Sequence, residues 1–321
     1  MQDKIAEKPG LAARLLAGQT VALARAISVV ERDGPTVSTL LKTIQPHLGR
    51  ATVVGFTGPP GAGKSTLVNA FIAEMRGRGK TVAVAAVDPS SPITGGAVLG
   101  DRIRMAEHTM DTGVFIRSLA SRGHLGGLSA SAARVADLMD AAGFDVIVLE
   151  TVGAGQSEVE MAEMADVRIV VSAPGLGDDV QAIKAGILEI ADILVVNKSD
   201  LPLAKRTISQ LQAMLALRAP GDWKVPVLAT NAVDRTGLSE LADAVDRKAE
   251  GRQAKGPRDA LGGRTRRLLA QSVAKYAEHR VLNDTSATID AVVTDLQQAE
   301  IGLDDAIAKI LMQLCESQDN G

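Results

Sequence analysis

Cysteine is nearly missing: Cys315 is the single one among 321 residues, so no disulfide framework can form within the chain, which suits a reducing compartment. Aromatics are scarce too, with Trp223, Tyr276 and four Phe, and this leaves little for stacking nucleic-acid bases. Positive charge is not in excess. The net charge is −3 and the pI about 5.9, which gives no general electrostatic footprint for nucleic acid. No apolar run reaches the roughly 18 residues a bilayer span needs, and residues 1–10 lack the apolar core of a signal peptide. These absences predict a cytoplasmic protein that binds neither nucleic acid nor membrane. A hydrophobic fraction of 46% is that of an ordinary globular protein, and the length suggests about two domains.

What is present is glycine in one telling place. The stretch Gly58-Pro59-Pro60-Gly61-Ala62-Gly63-Lys64-Ser65-Thr66 follows the apolar run 52–56 and leads into a helical pattern from Leu67. Strand, glycine-rich loop and helix, with G-x-x-x-x-G-K-S in the loop, make a phosphate site. Gly61 and Gly63 allow the sharp turn that points successive N–H groups at an anion, and the helix adds its positive end. Lys64 supplies a point charge for the β- and γ-phosphates, and the Ser65 hydroxyl can sit on Mg2+. The bland alternative is a glycine turn with a chance lysine.

Around this loop the chain divides into three parts. Residues 1–50 carry short helical patterns, broken at Gly18 and at Asp33-Gly34-Pro35, as a helical preface too short to fold alone. Residues 51–250 alternate buried-strand runs (52–57, 81–87, 114–117, 146–149, 168–172, 192–196, 225–229) with helical stretches (65–76, 129–142, 179–190, 202–218). That pattern predicts an α/β fold, a mostly parallel sheet flanked by helices, with its site at the carboxyl ends of the strands. Residues 251–280 hold eight Lys/Arg against two acids, and 281–321 one Lys against eight acids. Apolar residues Ile289, Val292, Val293, Leu296 and then Ile307, Ile310, Leu311, Leu314 recur at helical spacing on either side of Gly302, which predicts amphipathic helices.

The base is read from Asn197-Lys198-Ser199-Asp200, after the apolar run 193–196. A buried Asp200 carboxylate accepts hydrogen bonds from guanine N1–H and its 2-amino group, and would be left unpaired against adenine. The Lys198 stem can lie along a base face, Asn197 can tie loops together, and a backbone N–H in the Asn231-Ala232 turn can meet guanine O6. The alternative is a surface turn in which Asp200 caps a helix. Acids for a metal and a hydrolytic water should stand just after strands: Asp88 and Glu150 do. Asp145 begins its strand, roughly 16 Å from the far end at about 3.3 Å per residue, and reads as a surface acid. Glu150-Thr151-Val152-Gly153 has the form of a γ-phosphate sensor, Gly153 offering its N–H. Asp101 lies in a proline- and glycine-rich connection and reads equally as a helix N-cap. No glutamine directly follows Gly153, the nearest being Gln156, and Arg102 and Arg104 could neutralise transition-state charge. This predicts slow hydrolysis of GTP to GDP until a partner docks.

Assembled, these residues resemble the MeaB/ArgK family of P-loop GTPases, chaperones of adenosylcobalamin-dependent acyl-CoA mutases. The resemblance runs from about Leu15 to Thr236 through the phosphate loop, Asp88-Pro-Ser-Ser-Pro92, Gly100-Asp-Arg-Ile-Arg-Met105, Arg122-Gly-His-Leu-Gly-Gly-Leu-Ser129, Glu150-Thr-Val-Gly-Ala-Gly-Gln-Ser-Glu158 and Asn197-Lys-Ser-Asp200. It implies a homodimer with a G domain at 51–250 and a C-terminal helical dimerisation arm at 251–321. It further implies metal-site roles for Asp88, Asp101 and Glu150. A switch carrying Gln181 and Lys184 is implied to communicate with the mutase, most often methylmalonyl-CoA mutase, whose cofactor loading, protection and reactivation GTP gates. Asn231 departs from the Ser that many relatives carry. Three rival readings stay open: a nickel-type metallochaperone GTPase, although His47, His108, His124, His279 and Cys315 form no metal-ligand tract, an ATP-using kinase of transport proteins, and a purely structural, nucleotide-locked scaffold.

Overall fold

The computed structural model describes residues 10–32, 36–88, 106–108, 110–120, 127–151, 164–175, 190–218, 222–253 and 287–316, with shorter pieces between 265 and 283. Two compact units divide at residue 265.

The first unit is built on seven parallel strands: β1 (Thr52–Thr57), β2 (Val82–Asp88), β3 (Val114–Ala120), β4 (Val146–Thr151), β5 (Val167–Ser172), β6 (Ile193–Val196) and β7 (Val227–Ala229). Their order across the sheet is β3-β2-β4-β1-β5-β6-β7. The β1 strand is therefore central, and the chain turns from one half of the sheet to the other beside it. In such sheets that switch point is where ligands bind, outside the carboxyl ends.

The strands are apolar at nearly every position because both faces are covered. Val54 and Phe56 of β1, with Ile169 and Val171 of β5, face α4 (Lys64–Gly77) and α7 (Leu238–Gln253) in one core. Val170, Leu194 and Val196 point the opposite way, onto α6 (Ala204–Ala216). On that second face α5 (Gly127–Ala141) lies against β2 and β4. The preface helices α1 (Leu11–Leu16), α2 (Thr20–Arg32) and α3 (Thr36–Ile44) pack onto α5. Ala22, Leu23, Ala26, Ile27 and Val30 form the buried stripe of α2, the spacing an amphipathic helix needs. Asp140 of α5 fastens this junction. Its buried carboxylate accepts the N–H groups of Gly49 (2.6 Å), Arg50 (3.1 Å) and Ala51 (2.9 Å), just ahead of β1.

In the second unit α8 (Ala287–Gln297) and α9 (Leu303–Glu316) pack on each other, burying Ile289, Val292 and Ala306. Val293, Ile307, Leu311 and Met312 remain exposed. Among the described residues no helix is long and apolar enough to cross a membrane.

Candidate nucleotide site

Six residues join β1 to α4, and each glycine among them has a distinct reason. Gly61 and Gly63 hold positive φ angles of 82° and 85°, which side chains disfavour. Gly58 has φ 144°, and a Cβ there would stand 2.0 Å from the carbonyl oxygen of Val171 on β5. Strand β5 thus runs hard against the start of the loop. Gly63 caps α4 with no side-chain bond, so the first-turn N–H groups and the positive helix end are turned toward the loop mouth. The Lys64 side chain folds back over the loop. Its ammonium donates to the Gly58 carbonyl and, at 3.4 Å, to that of Pro59, and only 8% of the residue is exposed. Ser65 is half-buried beside it, while Pro60, Gly61 and Thr66 face solvent.

Asn197, directly after β6, joins this loop to a second one. Its side chain is buried. Nδ2 donates to the Ala62 carbonyl at 3.0 Å and to that of Gly63 at 3.5 Å. Oδ1 accepts Thr230 Oγ1 at 3.3 Å and the Ala232 N–H at 3.2 Å. Lys198 adopts a left-handed φ of 55°, uncommon outside glycine, and its Nζ donates to the Gly61 carbonyl at 2.8 Å. The lysine stem therefore lies along the phosphate loop. Asp200 caps no helix: α6 starts at Ala204 behind Leu203, with no side-chain cap bond.

The structure corrects one expectation here. Asp200 is exposed rather than buried, because it stands on the turn beyond the strand end. Its Oδ1 is steered from the side by Asn231 Nδ2 at 3.1 Å. That same amide donates to Asp234 at 2.7 Å, while Asn231 Oδ1 accepts the N–H groups of Val233 and Asp234. Every backbone N–H from 231 to 234 is thus engaged within the protein, and a base oxygen at Ala232 would share its N–H with Asn197.

Glu150 is fully buried near the carboxyl end of β4, in register with Phe56 of β1 and Ala86 of β2. Asp88 closes β2 at the same end. Ser65 and Glu150 carry hard oxygen donors of the kind Mg2+ takes when phosphates and waters complete its shell, while the Asp88 side chain lies outside what is described. Among the described residues no three His, Cys, Asp or Glu side chains converge into a metal-holding group. Asp101, Gly153, Gln181 and Lys184 lie outside the described residues. Asp145 sits at the amino end of β4, exposed, accepting the Thr81 N–H and hydroxyl, each at 2.7 Å. Sequence reasoning missed Thr230 and Asp234. A threonine directly before the Asn231-Ala232 turn was the available signal for the first, and none marked the second.

The family model for "Methylmalonyl Co-A mutase-associated GTPase MeaB" matches residues 23–290. The chain belongs to the MeaB family of GTPases. A Pyrococcus horikoshii protein with a provisional GTPase name is 46% identical over 274 residues, 83% of this chain and 86% of that one. GTPase ArgK of Escherichia coli K12 is 42% identical over 242 residues, 72% and 73% of the two chains. A crystal structure titled "LAO/AO transport system kinase" superposes with a TM-score of 0.70 at 29% identity, over 95% of this chain and 96% of the other. As a MeaB-family GTPase the chain binds guanine nucleotide, and its sheet is that of a P-loop GTPase.

Proposed function

We propose that this GTPase is the nucleotide-gated chaperone of an adenosylcobalamin-dependent acyl-CoA mutase, methylmalonyl-CoA mutase first among them. The observation that carries the reading is the match over residues 23–290 to a family described by its association with that mutase. The site's geometry supports a switch. Asn197 holds the phosphate loop and the base turn as one piece, so phosphate and base are gripped together. Lys64 and the α4 N-terminus offer charge and N–H groups to the β- and γ-phosphates. Ser65, Asp88, Glu150 and, outside the described residues, Asp101 would hold Mg2+, which when bound neutralises charge developing between those phosphates. Gly153 would sense the γ-phosphate, and Gln181 and Lys184 would pass its loss to the mutase. The protein alone turns over slowly, the mutase accelerates it, and the homodimer forms through the C-terminal arm.

Single-turnover GTP hydrolysis with and without purified methylmalonyl-CoA mutase tests this. The expected result is slow release of phosphate alone, faster with the mutase, and none in Lys64→Ala. Fast hydrolysis by the isolated protein, or an unchanged rate with the mutase, would sink the gating role. The kinase title of a structural relative favours a second reading, transfer from ATP. Asp200→Asn separates the two: a guanine site shifts toward xanthine nucleotides, whereas an ATP site is indifferent to the change.

A further inference from the structure

A second cleft, of about 920 Å3, opens at the other end of the sheet from the phosphate loop. It lies where β5, β6 and β7 begin, between α6 and α7, and its volume is in the range of small-molecule pockets. Asp192 forms the floor and is only 3% exposed. Arg168 grips its carboxylate in a fork, Nε to Oδ2 at 2.8 Å and Nη2 to Oδ1 at 3.2 Å. Lys248 Nζ approaches the same carboxylate at 2.9 Å. Trp223 donates its indole N–H to the Asp192 carbonyl at 2.8 Å, and Lys248 Nζ lies 4.8 Å from the centre of the indole ring.

The charge count does not close. Two cations converge on one buried carboxylate, so the floor carries a surplus positive charge. Arg218, Asp222 and Lys224 also line the cleft. Arg168 and Lys248 keep 23% and 25% of their side chains exposed, so this charge is open to an incoming anion. Beside this charge the lining is apolar, with Leu215, Val225 and Val227 alongside Trp223. A fixed cationic end, an apolar wall and a flat ring together select a molecule with one charged end.

We propose that this cleft binds a small organic anion with an apolar body, its anionic group seated on Arg168 and Lys248 and its body against Trp223, Leu215 and Val227. The site is independent of the nucleotide reading. Asp192 precedes Asn197 by five residues at the opposite end of β6, about 16 Å away at about 3.3 Å per residue, so both sites can be filled at once.

Trp223 is the sole tryptophan, so indole fluorescence reports on this cleft alone. The GDP-loaded full-length protein is titrated with sodium octanoate and, separately, with octanamide, which has the same body without the charge. Octanoate should change Trp223 emission saturably, and octanamide should bind at least about tenfold more weakly. Lys248→Met keeps the side-chain stem and should weaken octanoate about tenfold. Ala216→Phe, which fills the cleft from an exposed helix position, should abolish the response. Unchanged GDP affinity in both variants shows that they are folded. The proposal is overturned by no saturable change with octanoate, by equal binding of octanamide, by octanoate binding undiminished in both variants, or by its competitive displacement by GDP.

Discussion

Asn197 Nδ2 lies 3.0 Å from the carbonyl oxygen of Ala62, 135 residues earlier in the chain. This buried bond makes the phosphate loop and the base turn a single rigid element. Asn197→Ala removes the bridge and leaves Thr230 and the Ala232 N–H without their shared acceptor. Unpaired buried groups cost about 1–3 kcal/mol each, so GDP affinity should fall at least tenfold by titration with a fluorescent nucleotide. Gly63→Ala should do the same from the other side, since its Cβ would stand 2.6 Å from Asn197 Nδ2 at a φ of 85°. Wild-type affinity in both variants would refute the coupling.

Asn231 presents one amide to two carboxylates, Asp200 at 3.1 Å and Asp234 at 2.7 Å. Replacing it with Ala leaves like charges facing each other and frees the Asp200 side chain to rotate. GTP affinity in Asn231→Ala should drop several-fold. In the double variant Asn231→Ala/Asp234→Asn it should recover in part, because the repelling charge is gone. Additive losses in a double-mutant cycle would mean that Asp234 plays no part in aiming Asp200.

Much of this architecture was legible because burial writes itself into composition. Strands β1, β4 and β5 are mostly apolar, interrupted by Arg168 and by polar residues near their ends, and their positions were predictable to within two residues. The errors have local causes. The β3 strand continues three residues beyond the predicted 117, since Arg117 looks like a strand end but is half-buried, bonded to Ser28 and Glu31 of α2. The β7 strand is shorter than predicted because Pro226 brings no N–H to the ladder. The phosphate and base motifs were readable because each is contiguous. Their connections were not: Asn231 to Asp200 spans 31 residues and Lys248 to Asp192 spans 56, and Gly58 is fixed by the Val171 carbonyl, a backbone atom no pattern announces. The second cleft left only scattered residues that pass individually for surface charge.

The C-terminal arm offers a direct test of self-association. Ile307 and Leu311 lie one turn apart on α9, 49% and 48% exposed. Under the homodimer proposed above, this stripe meets a second copy. Ile307→Glu with Leu311→Glu should convert the dimer to a monomer in sedimentation velocity and leave GDP affinity intact. A dimer persisting in the double variant would place the interface elsewhere.

Asp192 sets a pH signature that can be separated from nucleotide binding. Burial pushes its carboxyl up, but hydrogen bonds from Arg168 and Lys248 more than reverse this and hold it below its ordinary 3.8. The folded state therefore binds this proton less tightly than the unfolded chain. Its contribution to stability is complete well above pH 3.8 and is lost as pH falls through the lower folded value. Asp192→Asn leaves two cations around a neutral amide, which should cost about 3–5 kcal/mol near neutral pH. The gap in urea-unfolding stability between wild type and Asp192→Asn should hold constant from pH 7 to about pH 5 and narrow below about pH 4. A gap absent at pH 7 would show that Asp192 is not the anchor of this cluster, and one undiminished in acid would show that its proton affinity is not lowered by folding.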